Sequence, residues 1–215
     1  MANMIEAGAY DLVSFKISKI PGIHDLDDVE SVEAKFIVYS WSLDESLNSD
    51  CVNGSAIFHD STGLFYDFPL RGEELLTIEY IDFYGNRRTE KMFITAITDL
   101  APGSKDGTSD TLEYMIHYVS IGKFVSETRM VRKGFTDTIS NMAEEIFKSC
   151  FVSGPGNLGT DKKLLVNDTT GDVNLVVPHY SGAETMNFFA RNAYGSDNSS
   201  TYRFYETRDS YHFTS

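Results

Sequence analysis

Hydrophobic and polar positions alternate through the first half of the chain, the period-two signature of half-buried strands. Leu12, Val13, Phe15 and Ile17 lie in a run from Asp11 to Ile20 that Pro21-Gly22 breaks. The acidic stretch from His24 to Glu30 reads as a loop. Val32 to Trp41 predicts a second strand and Cys51 to His59 a third, closed by the turn Asp60-Ser61-Thr62-Gly63. The strongest local signal runs from Leu75 to Asp99. There Leu76, Ile78 and Tyr80 alternate with Thr77 and Glu79, and Tyr84-Gly85-Asn86 turns the chain. Thr89 to Thr98 returns with Phe93 and Ile97 on one face and Met92 and Ile94 on the other, which predicts a hairpin. Apolar residues on both faces mean either strands covered on both sides or a face offered to a partner. Tyr80, Phe83 and Phe93 are the candidates for such a subunit interface. After a Gly-, Ser- and Asp-rich loop from Ala101 to Asp110, Leu112, Tyr114, Ile116 and Tyr118 mark a sixth strand.

The period then changes. Ile139, Met142, Ala143, Ile146, Phe147 and Cys150 follow helical spacing with one buried face, with Thr136 and Asp137 as expected caps and Gly154-Pro155 as the stop. Asp161 to Val166 looks like a strand. Ser181-Gly182-Ala183-Glu184 fits a capping box opening a second helix, whose apolar side is Met186, Phe189, Ala190 and Ala193 and whose end is Gly195. Tyr202 to Phe213 predicts a hairpin around Arg208-Asp209-Ser210. Strands followed by a helix-containing segment predict an α+β chain of two domains, residues 1–122 and 123–215, with the change of period between Ile121 and Gly134. The first is expected to be an antiparallel β-barrel or sandwich, the second a small α+β domain.

Composition adds three constraints. At 215 residues, 41% hydrophobic and 23% charged, the chain can bury a real core. A net charge of −14 argues against binding nucleic acid or anionic membranes, because both need cations. The two cysteines, Cys51 and Cys150, show neither a disulfide framework nor metal spacing, which fits synthesis in a reducing compartment. Met1 to Tyr10 has no signal-peptide pattern, and no window approaches the roughly 20 apolar residues of a membrane helix, so a soluble chain is expected.

Candidate chemistry is sparse. Gly154-Pro155-Gly156-Asn157-Leu158-Gly159 matches G-x-G-x-x-G, but a helix precedes it and a strand follows, the reverse of a dinucleotide site. Asp44, Ser46, Asn48 and Asp50 alternate like calcium ligands without the turn Gly or the twelfth-position Glu. None of His24, His59, His117, His179 and His212 has a metal-motif partner. His59-Asp60 lacks a serine elbow, and neighbours in a strand point to opposite faces. Glu144 and Glu145 read as the solvated side of a helix. No catalytic, metal or cofactor centre is expected.

Several segments in order resemble the baseplate hub proteins of contractile-tailed phages. In the first half they are Trp41-Ser42-Leu43-Asp44-Glu45-Ser46-Leu47, Val52-Asn53-Gly54-Ser55-Ala56-Ile57-Phe58-His59-Asp60 and Phe68-Pro69-Leu70-Arg71-Gly72-Glu73-Glu74-Leu75. In the second half they are Phe135-Thr136-Asp137-Thr138-Ile139, the helix from Tyr180 through Ala193 to Tyr194, and the hairpin Tyr202-Arg203-Phe204-Tyr205-Glu206-Thr207-Arg208-Asp209. The resemblance implies a tail-tube-like barrel and a virion structural part, assembled in the host cytoplasm. It also implies a trimer whose paired barrels mimic a six-fold ring, seeding the tail tube above and holding the spike below. An acidic lumen in such a ring would let DNA slide without sticking. Hubs of the family are longer, and their second barrel and C-terminal part have no counterpart in the segment read here. The segment alone is therefore expected to be a monomer or weak trimer, and the full-length protein a stable trimer recruiting spike and tube proteins. Another tail-tube, spike or adhesin component of a phage tail or injection system is the alternative, and a cell-wall hydrolase a more distant one. If the helical period is right, Ile146→Ala costs about 2–5 kcal/mol in a denaturant titration. A loss under ~0.5 kcal/mol would place Ile146 on the surface.

Overall fold

A computed structural model describes residues 10–20, 30–102, 111–152, 158–195 and 199–215. The chain divides into two compact units. One comprises Met1–Leu43 and Asn53–Val119, the other Asp44–Val52 and Ser120–Ser215.

The first unit is a single antiparallel sheet. Its strands are β1 (Asp11–Ser18), β2 (Ser31–Glu33), β3 (Val38–Asp44), β4 (Asn53–Asp60), β5 (Leu75–Ile81), β6 (Arg87–Pro102) and β7 (Leu112–Ser120). A 3-10 turn, Lys35–Ile37, precedes β3, and a one-turn helix α1 (Leu64–Asp67) follows β4. The spatial order is β2-β1-β5-β6-β7-β4-β3. In a flat sheet β1 and β4, four places apart, would stand about 19 Å from each other. Yet the Phe15 ring of β1 lies 5.6 Å from Phe58 of β4, and Trp41 of β3 lies 5.3 Å from Tyr80 of β5. The sheet is therefore curled into a half-barrel whose inside is lined by Phe15, Ile17, Phe58, Ile78, Tyr80, Ile116 and Tyr118, all at most 1% exposed. Among the described residues no strand pair joins β2 to β3, and the 3-10 turn packs on both β1 and β4. The expected antiparallel barrel or sandwich is thus observed, among the described residues, as a curled antiparallel sheet.

Carboxylates that gather backbone amides shape the turns of this unit. Glu33 accepts from the amides of Phe15 (2.8 Å) and Lys35 (3.0 Å) and from Ser14 Oγ. That knot breaks the single strand expected from Val32 to Trp41 into β2, the 3-10 turn and β3. Asp60 accepts from the amides of Thr62 (2.9 Å), Leu64 (3.2 Å) and Phe65 (2.8 Å), holding the expected turn, which α1 follows directly. Glu74 accepts from the amides of Arg71 (2.8 Å), Gly72 (3.0 Å) and Glu73 (3.0 Å) and pairs with Lys19 Nζ at 3.0 Å. Gly72 has φ of 84°, a backbone that side-chain-bearing residues rarely adopt. Asp82 accepts from the amides of Tyr84 and Asn86 at 3.0 and 2.8 Å, closing the β5–β6 hairpin. In β6 Met92, Phe93 and Ile94 are all buried, so the hairpin is covered on both faces here.

The second unit holds α2 (Ile121–Glu127), β8 (Met130–Asp137), α3 (Ile139–Phe147), β9 (Lys163–Val166), β10 (Val173–Ser181), α4 (Gly182–Asn192), β11 (Arg203–Glu206) and β12 (Ser210–Thr214). β8 and β10 form an antiparallel ribbon, and β12 pairs antiparallel with β11 and parallel with β9. The core joins Ile139, Met142, Ala143, Ile146 and Phe147 of α3 to Ala183, Met186, Phe189 and Ala190 of α4, with Phe204, Tyr211 and Phe213 behind them. The side chains of Glu144 and Glu145 are 50% and 54% exposed. Helix α3 is capped by Thr138, one residue beyond the expected pair; Asp137 instead accepts from the Thr138 amide and from Asn141 Nδ2. Beyond Phe147 the helix widens into a π-helical turn, Lys148–Val152. The expected stop at Gly154-Pro155 lies outside the described residues. The capping box of α4 forms as its sequence predicts: Ser181 accepts from the Glu184 amide at 3.2 Å, and Glu184 from the Ser181 amide at 2.8 Å. The stretch from Ile121 to Gly134, where the period changes, is built structure, comprising α2 and part of β8. Gly182 lets α4 approach the π-helical turn, since a Cβ there would stand 2.6 Å from Cys150 Cβ.

For Glu33, Asp60, Glu74 and Asp82 burial alone would raise the carboxyl pKa. The amide, hydroxyl and cationic donors outweigh it and hold each below the ordinary range. A carboxylate with a lowered folded pKa contributes stability present above its unfolded pKa, near 4, and lost as pH falls through the folded value. All four lie in the first unit, while in the second Asp137 alone among the described residues is lowered. The only tryptophan, Trp41, reports on the first unit, and the long helices α3 and α4 report on the second. On acidification below ~4, Trp41 emission is expected to change before the helical circular dichroism is lost. Coincident transitions, or helix loss first, would contradict this.

Candidate functional site

Among the described residues, those singled out for chemistry have the following partners. The Asp60 carboxylate is 1% exposed and filled by its four donors. His59, on the opposite face of β4, stacks on Tyr39 with ring centres 4.5 Å apart and lies 3.4 Å from Glu113. His117 contacts Thr98 Oγ1 through Nε2 at 3.1 Å. Glu144 and Glu145 pair with Lys148 and Lys133 across solvent. The calcium-like alternation is spent on anchoring. Asp50 accepts from Lys123 Nζ at 2.9 Å and Asn187 Nδ2 at 3.2 Å, Asn48 from Arg203 at 3.1 Å, and Ser46 Oγ from the Asn48 amide. Burial pushes the Cys51 and Cys150 thiols up, away from the thiolate that nucleophilic chemistry needs. The glycine-rich motif lies outside the described residues except for Leu158 and Gly159. Among the described residues no three His, Cys, Asp or Glu gather as metal ligands.

The hairpin candidates separate. Tyr80 is 0% exposed, with its ring against Tyr10 and Trp41, and Phe93 is also buried. Both strands are central in the sheet order, β5 between β1 and β6, and β6 between β5 and β7, so neither has a free edge. Tyr80 and Phe93 therefore belong to the interior of their own unit and not to a surface. Only Phe83 is exposed, at the hairpin turn beside Tyr84, with ring centres 5.6 Å apart.

The exposed apolar surface lies elsewhere. Phe36 of the 3-10 turn is 89% exposed and Tyr39 of β3 is 70% exposed. β3 ends the sheet order, so its outer backbone edge is unpaired among the described residues. Over seven residues it has no Lys, no Pro and one charge, Asp44, at its end. Those are the features that usually protect an edge from pairing with another chain. The opposite edge, β2, is three residues long and ends in Glu33. A long unguarded edge beside two exposed rings is suited to contact with another protein. No sequence signal marks it, because Val32 to Trp41 reads as one continuous strand.

The second constellation is buried. Glu206, 1% exposed, accepts from the Val52 amide at 2.9 Å, from Ser120 Oγ, and from Lys162 Nζ at 3.0 Å. The Ser120 amide in turn donates to the Val52 carbonyl at 2.9 Å. The group is an ion pair with its hydrogen bonds satisfied, and it holds the Val52 amide as one of its donors.

No protein-family profile and no curated protein matches the chain. Solved structures do. The 43 kDa tail protein of prophage MuSo2 from Shewanella oneidensis matches with a TM-score of 0.54 at 10% identity, over 94% of this chain and 54% of its own. A Francisella PdpA-VgrG complex matches in its lidded form with a TM-score of 0.46 at 13% identity, over 98% of this chain and 29% of that one. Its half-lidded form gives 0.46 at 15%, over 95% and 31%. The chain thus spans about half the length of the prophage protein and shares its fold. No helix among the described residues is long and apolar enough to cross a membrane.

Proposed function

We propose that this chain is a non-catalytic structural component of a phage-type tail, placed as a baseplate hub between the tail tube and the spike. The observation that carries the proposal is a fold shared with a prophage tail protein along nearly the whole chain. The ordered motifs that resemble hub proteins point the same way, and so does the absence from the sequence of any recognisable catalytic motif. In this reading the protein works in the virion as a homotrimer that recruits tube and spike proteins and binds neither nucleic acid nor membrane. The acidic balance then has a role: a negative wall gives DNA phosphates nothing to hold. The half-barrel and its open β3 edge supply the kind of surface through which tail subunits are joined.

Light scattering gives the first test. This chain alone is expected to run as a monomer or weak trimer, and the whole protein as a stable trimer that co-purifies with its spike and tube proteins. A tight hexamer of this chain would favour a tail-tube protein and overturn the hub assignment. Peptidoglycan cleavage by the chain would overturn the non-catalytic reading. Phe36→Asp with Tyr39→Asp is expected to change stability by under ~0.5 kcal/mol, as surface substitutions do, while weakening association with neighbouring tail proteins. Unchanged association would remove the β3 edge from the assembly surface.

A further inference from the structure

We propose that residues 44–52 form a releasable strap, a segment that leaves the second unit as one local event while the helical core of that unit stays folded. The segment connects β3 to β4, yet it is compact with the second unit. Asp44, Glu45, Ser46, Leu47 and Asn48 are exposed, and only Cys51 and Val52 are buried. Little apolar surface therefore holds it. The rest of its attachment is polar. Arg208 donates to Glu45, Arg203 to Asn48, Lys123 and Asn187 to Asp50, the Val52 amide to Glu206, and the Ser120 amide to the Val52 carbonyl. Segments with few buried apolar contacts open at far lower cost than the core they lie on.

Release would strand no buried charge. Glu206 keeps Lys162 and Ser120, Lys162 also keeps the Thr207 carbonyl at 3.0 Å, and Lys123 keeps Glu127 at 2.6 Å. Leaving a buried ion unpaired is the usual barrier to such openings, and here both states avoid it. The outer ties are ion pairs and side-chain hydrogen bonds near solvent, so salt weakens them. The second unit thus carries a closed and an open form of the β3–β4 connection without unfolding its helices, a device independent of the proposed role in a tail.

The two cysteines report on it separately. Cys51 sits in the strap, and Cys150 sits in the π-helical turn within the helical core; they are 7% and 4% exposed. The native chain is treated with excess N-ethylmaleimide, each site is followed by peptide mapping, and each rate is divided by that of the same thiol in denatured chain. Cys51 is expected to react at least about tenfold faster than Cys150, as local opening requires. Raising the salt, or introducing Arg203→Ala with Arg208→Ala, is expected to speed Cys51 several-fold and leave Cys150 unchanged. Two results would overturn the proposal: equal or slower labelling of Cys51, or a Cys51 rate that ignores both salt and the arginines.

Discussion

A carboxylate folded back onto the chain needs donors, and in this chain most of those donors are backbone amides. Glu33, Asp60, Glu74 and Asp82 each gather two or three amides at a point where the first unit turns. An unsatisfied buried amide or carboxylate is costly, so the knots at the buried Asp60, Glu74 and Asp82 fix the loop geometry around them, and the exposed Glu33 adds its own ties to Phe15 and Lys35. The sheet depends on this arrangement. The Glu33 knot turns β2 away from β3 and leaves the 3-10 turn against β1 and β4, and the Glu74 knot sets the entry to β5. With those corners fixed, the aromatic side chains of β1, β3, β4, β5 and β7 meet inside the curl.

In the second unit a single carboxylate does the same over a longer range. Glu206 reaches an amide 154 residues away along the chain, at Val52, and draws residues 44–52 out of the first unit. The strands on either side of this excursion, β3 and β4, both belong to the first unit. The attachment of residues 44–52, polar and exposed from Asp44 to Asn48 and buried at Cys51 and Val52, differs from the helical core, where α3 and α4 interdigitate Ile146, Phe147, Met186 and Phe189.

What the sequence disclosed follows from the range of the forces involved. Helices α3 and α4 were legible because a helix is specified within a few residues, by the Ile139-Met142-Ile146 spacing and by the Ser181–Glu184 box. The β5–β6 hairpin was legible for the same reason. The ribbon of β8 and β10 was not predicted. β8 buries Val131 and Phe135 but exposes Lys133 between them, which blurs the period of two. The position of β3 at the sheet edge was also hidden. Edge or centre is decided by strand order, and strand order depends on contacts between distant segments. Tyr80 and Phe93 looked available for a partner because a doubly covered central strand and an interface strand have the same pattern. Phe36 and Tyr39 lay inside what read as an ordinary strand, and only the Glu33 corner placed them outside.

In the proposed hub role the acidic groups act as internal fasteners, and the β3 edge, unpaired among the described residues, is the surface offered to neighbours. Immunogold electron microscopy of tail particles, with an antibody against this chain, tests it most directly. The account predicts label at the tip of the tail, where tube and spike meet. Particles that carry no label, or label confined to another part of the virion, would contradict it.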